Sequence, residues 1–397
     1  MQTADSALVK KMNKAIVLNV IRQSSPISRA AVSRITGLNK ATVSALTAEL
    51  IDEGHIIEVG TGHSTGGRRP QLLSFNAGAG LVLGVELGVT FMRALICNLS
   101  GELIESRELD LPVKPTPEEG VRLLVELCHT LMAVAPPTQL GVIGAGIGVP
   151  GSVDLQLGTV LVAPNLSWRG VRLEQALERA LGLPVIIDNE ANASALGEKM
   201  FGIGTRADNL IYISLGVGLG AGVINDGRLL RGSHGIAGEV GHMTIESGGP
   251  LCSCGNRGCW ELYCSEKALR KRLPAYKEMK LNDIIAAAEK GAPEVIAALH
   301  EIGIYLGIGL TNLVHAFDPE LVVVGGPLAQ AGKWLLNPAQ RTLQSRLMPG
   351  PARQVPLLIS NLGLNACALG AAAHLLEERY KTPGVSTYKP SPSIPRA

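Results

Sequence analysis

Within eighteen residues the chain carries one imidazole and three thiols: His242, Cys252, Cys254 and Cys259. This set constrains folding more tightly than any apolar pattern, because four side chains converge only if the backbone turns sharply between them. Three thiolates and an imidazole complete a closed tetrahedral zinc shell, and Gly255-Asn-Arg-Gly258 supplies the tight turn that brings the last thiolate back. One Cys-x-Cys alone would read as small buried hydrophobes in a reduced protein. The full set reads as a structural Zn2+ site. Glu239 and Glu261 bracket it, and Glu239 stands three residues before His242, so on a helical turn the two share a face. A metal knot that aims two carboxylates and an imidazole at one place suits a polyhydroxylated ligand.

A length of 397 residues leaves room for two or three domains. The net charge of +2 is unevenly spread. Up to residue 75 the basic residues are Lys10, Lys11, Lys14, Arg22, Arg29, Arg34, Lys40, Arg68 and Arg69, against Asp5, Glu49, Asp52, Glu53 and Glu58, a balance of +4. The remainder carries −2. Only the head is therefore expected to meet a polyanion. The first apolar run, Ile16 to Leu18, is too short and too closely flanked by lysine and asparagine to read as a signal peptide, and no uncharged segment of membrane-spanning length is expected. Seven cysteines, three of them in the metal-like cluster, fit a reducing cytoplasm rather than a disulfide framework.

Residues 1–75 read as a winged helix-turn-helix. A helix from about Lys14 to Gln23 buries Ile16, Val17, Val20 and Ile21, and Ser25-Pro26 breaks it. Ser28 caps a short second helix ending near Gly37. Asn39 caps a third, whose Val43, Leu46 and Leu50 face inward. That spacing suits a recognition helix presenting Lys40, Thr42 and Ser44 near its N-terminus. Strands Ile56–Val59 and Leu72–Phe75 flank a Gly-rich tip carrying Arg68 and Arg69. The residues expected at a DNA face are Ser28, Arg29, Asn39, Lys40, Thr42, Ser44, Arg68 and Arg69.

From residue 76 to 380 the chain reads as α/β with an internal duplication. Leu81–Val85 and Arg93–Cys97 flank a turn at Gly88, and Leu210–Ile213 and Val223–Ile224 flank the glycines at 216, 218, 220 and 222. Helices and a glycine-ended strand follow each phrase, Val142–Gly151 and Leu321–Gly326, which predicts two related lobes around a cleft. The Pro/Ser-rich stretch 381–397 is expected to be a disordered tail.

Five phrases of this body resemble the ROK family (repressors, open reading frames and sugar kinases): Gly148-Val-Pro-Gly151, Asn189-Glu-Ala-Asn-Ala193, Leu196-Gly-Glu198, Gly238-Glu-Val-Gly-His242 and Cys252-x-Cys-Gly-x-x-Gly-Cys259-x-Glu261. Head and body together are similar to the xylose-responsive repressors within it, through Ser25–Ala30, Thr36–Ser44 and Gly66–Pro70, and through Asn165 and Trp168-Arg169. The resemblance implies a two-lobed actin-like ATPase/sugar kinase fold behind the winged head. It also implies a sugar held between the lobes by Asn165, Asn189, Glu190, Glu239, His242 and Glu261, with zinc fixing the His242 ring.

Departures from the kinase pattern set the expected activity. Family kinases carry Asp-x-Gly-Gly-Thr in the first phosphate loop and Gly-Thr-Gly in the second. Here the loops read Glu86-Leu-Gly-Val89-Thr90 and Gly216-Val217-Gly218, and Glu190 stands where the catalytic aspartate is expected. A branched side chain blocks close backbone approach to phosphate, and an extra methylene displaces the base by ~1 Å, which can cost on the order of 10²-fold. No catalytic residue is assigned; Glu190 marks a vestigial base position. The expectation is a cytoplasmic, dimeric, DNA-binding repressor released from a palindromic operator by a sugar, D-xylose in the first instance, with no membrane partner. Two alternatives stay open: a hexose kinase with a regulatory DNA-binding head, and a glucose- or N-acetylglucosamine-type repressor of the same family.

Overall fold

The computed structural model describes residues 6–62, 69–233, 235–350 and 354–382. Its head comprises α1 (Ser6–Ser24), β1 (Ile27–Ser28), α2 (Arg29–Thr36), α3 (Lys40–Asp52), β2 (Ile56–Thr61) and β3 (Gln71–Phe75). Ser28 caps α2 by accepting from the Ala31 amide, Gly37 ends it in the left-handed conformation, and Asn39 caps α3 through the Thr42 amide. Val17, Ile21, Val32, Val43, Leu46, Leu50, Ile56 and Leu73 form the core, so three helices and a hairpin make the winged arrangement.

Two details differ from expectation. Helix α1 starts at Ser6 rather than near Lys14. Lys10 and Lys14 pair with Glu49 of α3, and Lys14 also with Glu53 just past its end, so the first turns of α1 are held by charge instead of an apolar stripe. On its buried side Leu18 replaces Ile16 and Val20, both half-buried. Strand β1, unforeseen, pairs with β3 to give the order β1-β3-β2. Arg68 and the tail from 383 onward lie outside the described residues.

The first lobe contains β4 (Leu81–Leu87), β5 (Phe91–Asn98), β6 (Leu103–Asp110), α4 (Pro117–Val134), β7 (Val142–Val149), β8 (Ser152–Asp154), β9 (Thr159–Ala163), β10 (Trp168–Val171), α5 (Leu173–Leu181) and β11 (Val185–Asn189). Helix α6 (Glu190–Phe201) leads into the second: β12 (Leu210–Leu215), β13 (Leu219–Asn225), β14 (Arg228–Leu229), α7 (Glu266–Arg272), α8 (Leu281–Glu289), α9 (Pro293–Phe317), β15 (Leu321–Gly325), α10 (Lys333–Arg346) and β16 (Leu357–Ile359). Helix α11 (Ala366–Tyr380) returns to the first lobe.

The main sheets run β11-β7-β4-β5-β6 and β16-β15-β12-β13-β14. Each is an antiparallel three-strand meander whose first strand pairs parallel with the fourth, which pairs parallel with the fifth. Identical order in both lobes is the expected duplication, and it sets the C-terminal ends of the parallel strands toward the cleft, where open α/β sheets hold ligands. Helix α9 is long and apolar enough to cross a membrane, but it is the core helix of the second lobe, with Val295, Leu299, Ile302, Leu306 and Leu310 buried. At the α6–α11 crossing, a side chain on Gly370 would come within 1.7 Å of the Ala193 carbonyl oxygen, so only glycine permits the approach.

Candidate functional site

The metal motif folds as a compact knot on the second lobe. A 3-10 turn, Val240–His242, follows Glu239, and the His242 amide donates to the Glu239 carbonyl. Cys252 N–H donates to Asn256 O at 2.7 Å and Gly258 N–H to Pro250 O at 2.9 Å, closing the turn foreseen between the cysteines. Gly258 is required there: any Cβ would fall 1.7 Å from the Glu246 carbonyl oxygen. Trp260, wholly buried, pins the knot to α9 by donating from its indole to the Tyr305 carbonyl.

The four ligand atoms of His242, Cys252, Cys254 and Cys259 lie within 4.8 Å of one another. Cys254 and Cys259 sulfurs are 3.6 Å apart, and His242 Nδ1 is 3.7 Å from Cys252 Sγ. A tetrahedron with Zn–S bonds of about 2.3 Å has sulfur–sulfur edges of about 3.8 Å. The donor set, spacing and chemistry therefore fit a tetrahedral soft-metal ion. Glu261 abuts the cluster, with Oε1 3.2 Å from Cys252 Sγ and 3.7 Å from His242 Nδ1.

Across the cleft, β11 ends at Asn189 and α6 begins at Glu190. Asn189 Oδ1 accepts from the Ala191 and Asn192 amides while Nδ2 donates to Gly151 O at 2.9 Å. Much of its bonding capacity is thus spent capping α6 and fixing the Gly148–Gly151 phrase, a role the sequence reading did not assign. Glu190 points inward. Burial, reinforced by the Glu239 charge, pushes its pKa up to about 7. Glu239 sits at the exposed mouth, but desolvation by the pocket wall still raises its pKa, opposed by His242 and aided by Glu261. Glu190, Glu239, His242 and Glu261 thus form one electrostatic group, as expected. Asn165 lies apart from it on the turn between β9 and β10, where its Oδ1 accepts from Lys267 of α7 in the opposite lobe at 3.1 Å. Lys267 was missed because an exposed lysine carries no local signal.

A buried ion-pair cluster lies beside Glu190. Arg93 on β5 pairs with Glu86 at 3.1 Å, and it also bonds Glu108 and the Leu364 carbonyl. Burial pushes the Glu86 carboxyl up to about 8 against the pull of Arg93, with Glu190 adding repulsion. A small cavity lined by Glu86, Arg93, Glu190, Ser194, Tyr212 and Ser214 holds about 20 Å³. That is room for about one water. A larger groove of about 600 Å³ runs between α4 and α5, lined by Val121, Val125, Ala176 and Ala180, away from these acids.

On the head, Lys40, Ser44 and Arg69 are exposed and Thr42 is half-buried. Ala48, also exposed, continues the Lys40–Ser44 row by another turn of α3. Arg29 is tied inward, to Thr47 at 3.1 Å and Glu58 at 2.8 Å, while Ser28 and Asn39 serve as caps. These three shape the head more than they present a free face.

The ROK family profile matches residues 82–378. The chain belongs to the ROK family. It is 41% identical to the xylose repressor of Bacillus subtilis (strain 168) over 379 residues, covering 95% of this chain and 98% of the relative. Among solved structures, a ROK family transcriptional regulator described as a homolog of the E. coli MLC protein superposes with a TM-score of 0.80 at 30% identity, covering 94% of this chain and 97% of its own. A ROK family glucokinase from Streptomyces griseus, solved with glucose and AMPPNP, gives a TM-score of 0.67 at 34% identity over 74% of this chain and 98% of its own. The regulators match head and body together; the glucokinase matches a span the length of the body alone.

Proposed function

We propose that this ROK protein is a DNA-binding transcriptional repressor of sugar-utilisation genes, released from its operator by D-xylose bound in a degenerate kinase pocket. The observation that carries this reading is the grouping of Glu190, Glu239, His242 and Glu261 in a chain whose phosphate-loop phrases carry Val89 and Val217 and whose Glu86 is paired with Arg93. Groups able to bind hydroxyls are kept while the residues expected for phosphoryl transfer are replaced, and regulators, including a xylose repressor, match the chain over nearly its full length. The protein works in the cytoplasm as a homodimer whose two heads read two half-sites of a palindromic operator. Lys40, Thr42, Ser44, Arg68 and Arg69 meet the DNA, with Ser28, Arg29 and Asn39 fixing the helices that present them.

The sugar lies between Asn165, Asn189, Glu190, Glu239, His242 and Glu261. Glu190, at a position where a hexokinase needs a base, has no exocyclic hydroxymethyl to activate in a pyranose pentose; it fills that space and accepts from ring hydroxyls. Zn2+ at His242, Cys252, Cys254 and Cys259 is structural. Coordination fixes the His242 ring and holds Glu239 and Glu261 beside it.

The test is isothermal titration calorimetry of the full chain with xylose, glucose and N-acetylglucosamine 6-phosphate, paired with binding to DNA selected by the protein from a random pool. Xylose is expected to bind and to lower DNA affinity. Binding of only the phosphorylated amino sugar, or steady ATP-dependent product formation with any of these sugars, overturns the proposal.

A further inference from the structure

Helix α11 joins the cleft to the head. Cys367 in its first turn lines the interlobe cavity beside Glu86 and Glu190. Tyr380, thirteen residues on and therefore about 20 Å along the axis, is seated in the head. There Arg22 of α1 stacks over the Tyr380 ring at 5.3 Å, Asn19 donates to the Tyr380 carbonyl at 2.9 Å, and His55 and Phe75 meet the ring edge-on. Leu375 and Leu376 share one core with Val17, Leu18 and Ile21. The head is thus packed onto the last turns of α11.

Midway along α11 a buried charge node ties the helix to the cleft. Arg231 binds Asp188 with both guanidinium arms, at 2.9 and 2.8 Å. His374 of α11 completes the node, with Nε2 3.3 Å from Arg231 and Nδ1 3.0 Å from Asp188. Asp188 immediately precedes Asn189 and Glu190. Arg231 opens the loop that ends at Glu239, and its carbonyl accepts from the Ala237 amide. Glu377, three residues after His374, feels the charges of His374, Arg22 and Arg231.

We propose that α11 transmits pocket occupancy to the DNA-binding head, with Asp188, Arg231 and His374 as its pocket-side coupling and Arg22 and Tyr380 as its head-side coupling. The inference rests on the repressor reading and names how that regulation is built. A ligand that draws Glu239 toward Asn189 and Glu190 displaces Arg231 relative to Asp188. The node is buried and closely bonded, so it cannot deform gradually without leaving a charge unpaired. The glycine-to-backbone contact between α6 and α11 leaves no slack for the two helices to slide independently. Motion at the pocket end therefore moves α11 as a unit, and the head packed on its far end moves with it.

The test compares full-length parent, Arg22→Met and His374→Gln, with melting curves to verify folding. Each is titrated with xylose and with pool-selected DNA, with and without saturating sugar. Couplings of this type run about 5- to 150-fold. Both variants are expected to keep xylose affinity and sugar-free DNA affinity within about 3-fold of the parent, while the weakening of DNA binding by xylose collapses toward about 1-fold. Hydrogen exchange on the unaltered protein supplies an independent readout, with xylose expected to change protection in 374–380 and 17–22 together. A parental coupling factor in both variants, or an exchange change confined to the cleft, overturns the inference while leaving the repressor reading intact. A parent whose DNA affinity ignores xylose, glucose and N-acetylglucosamine 6-phosphate overturns both.

Discussion

Lys267 of the second lobe donates to Asn165 of the first across the cleft at 3.1 Å. A cavity lined by residues of both lobes, among them Glu86, Glu190, Tyr212 and Ser214, holds about 20 Å³. A ligand passing between these two residues must part the pair.

Lys267→Ala removes the latch without touching the acids. A charge-assisted bond that remains solvent-exposed contributes about 1 kcal/mol. Because the bond stands without sugar and must part for entry, xylose association is expected to quicken by roughly 5-fold, as read by stopped-flow fluorescence. An unchanged association rate shows that the bond does not gate entry.

Glu190 gives a pH signature. Its folded pKa of about 7 lies above the ordinary carboxylate value of 4.5, so the fold favours the protonated form. Its contribution is fully present below pH 4.5 and is lost as pH rises through about 7. Asp188 acts below this window: burial raises its pKa, but His374 and Arg231 outweigh burial and hold it low. Glu190→Gln stays neutral and is expected to exceed the parent in sugar-free stability above about pH 8, by up to roughly 3 kcal/mol. Urea midpoints at about pH 5 and about pH 8.5 test this; equal differences at both would place the ionisation elsewhere.

Metal analysis of the purified chain should find about one zinc per chain. Chelation is expected to abolish sugar binding before the whole chain unfolds, because the ion orients His242 while the first lobe has an apolar core of its own and shares a second with the head. Cys254→Ser should reproduce the loss. Metal-free protein that binds sugar normally would refute the role given to the knot.

Lys40→Ala and Arg69→Ala should each weaken DNA binding and lower the slope of log affinity against log salt by about 0.9, one released counterion per lost phosphate contact. Ser44→Ala, an uncharged change one turn further along α3, should alter sequence preference with little change in slope. Parental salt slopes in both charge variants would move the interface away from α3 and the wing.

Periodicity, caps and ligand spacing were legible in the sequence because each is local. Ser28 and Asn39 cap their helices as expected, the lobes repeat one strand order, and the Cys-x-Cys turn closes where Gly258 tolerates no side chain. The three cysteines lie within eight residues and are legible as one turn, and His242, ten residues before the first of them, meets them.

Tertiary structure decided what depends on distant partners. Arg29 carries the charge of a DNA contact but is bound by Thr47 and Glu58. Asn189, matched to a sugar-binding phrase, spends its amide on α6 and Gly151. From Arg231, Asp188 and His374 lie 43 and 143 residues away along the chain, and no pattern marks the three as a group. Only the folded chain, by burying an ionised carboxylate where water cannot solvate it, requires those partners to meet.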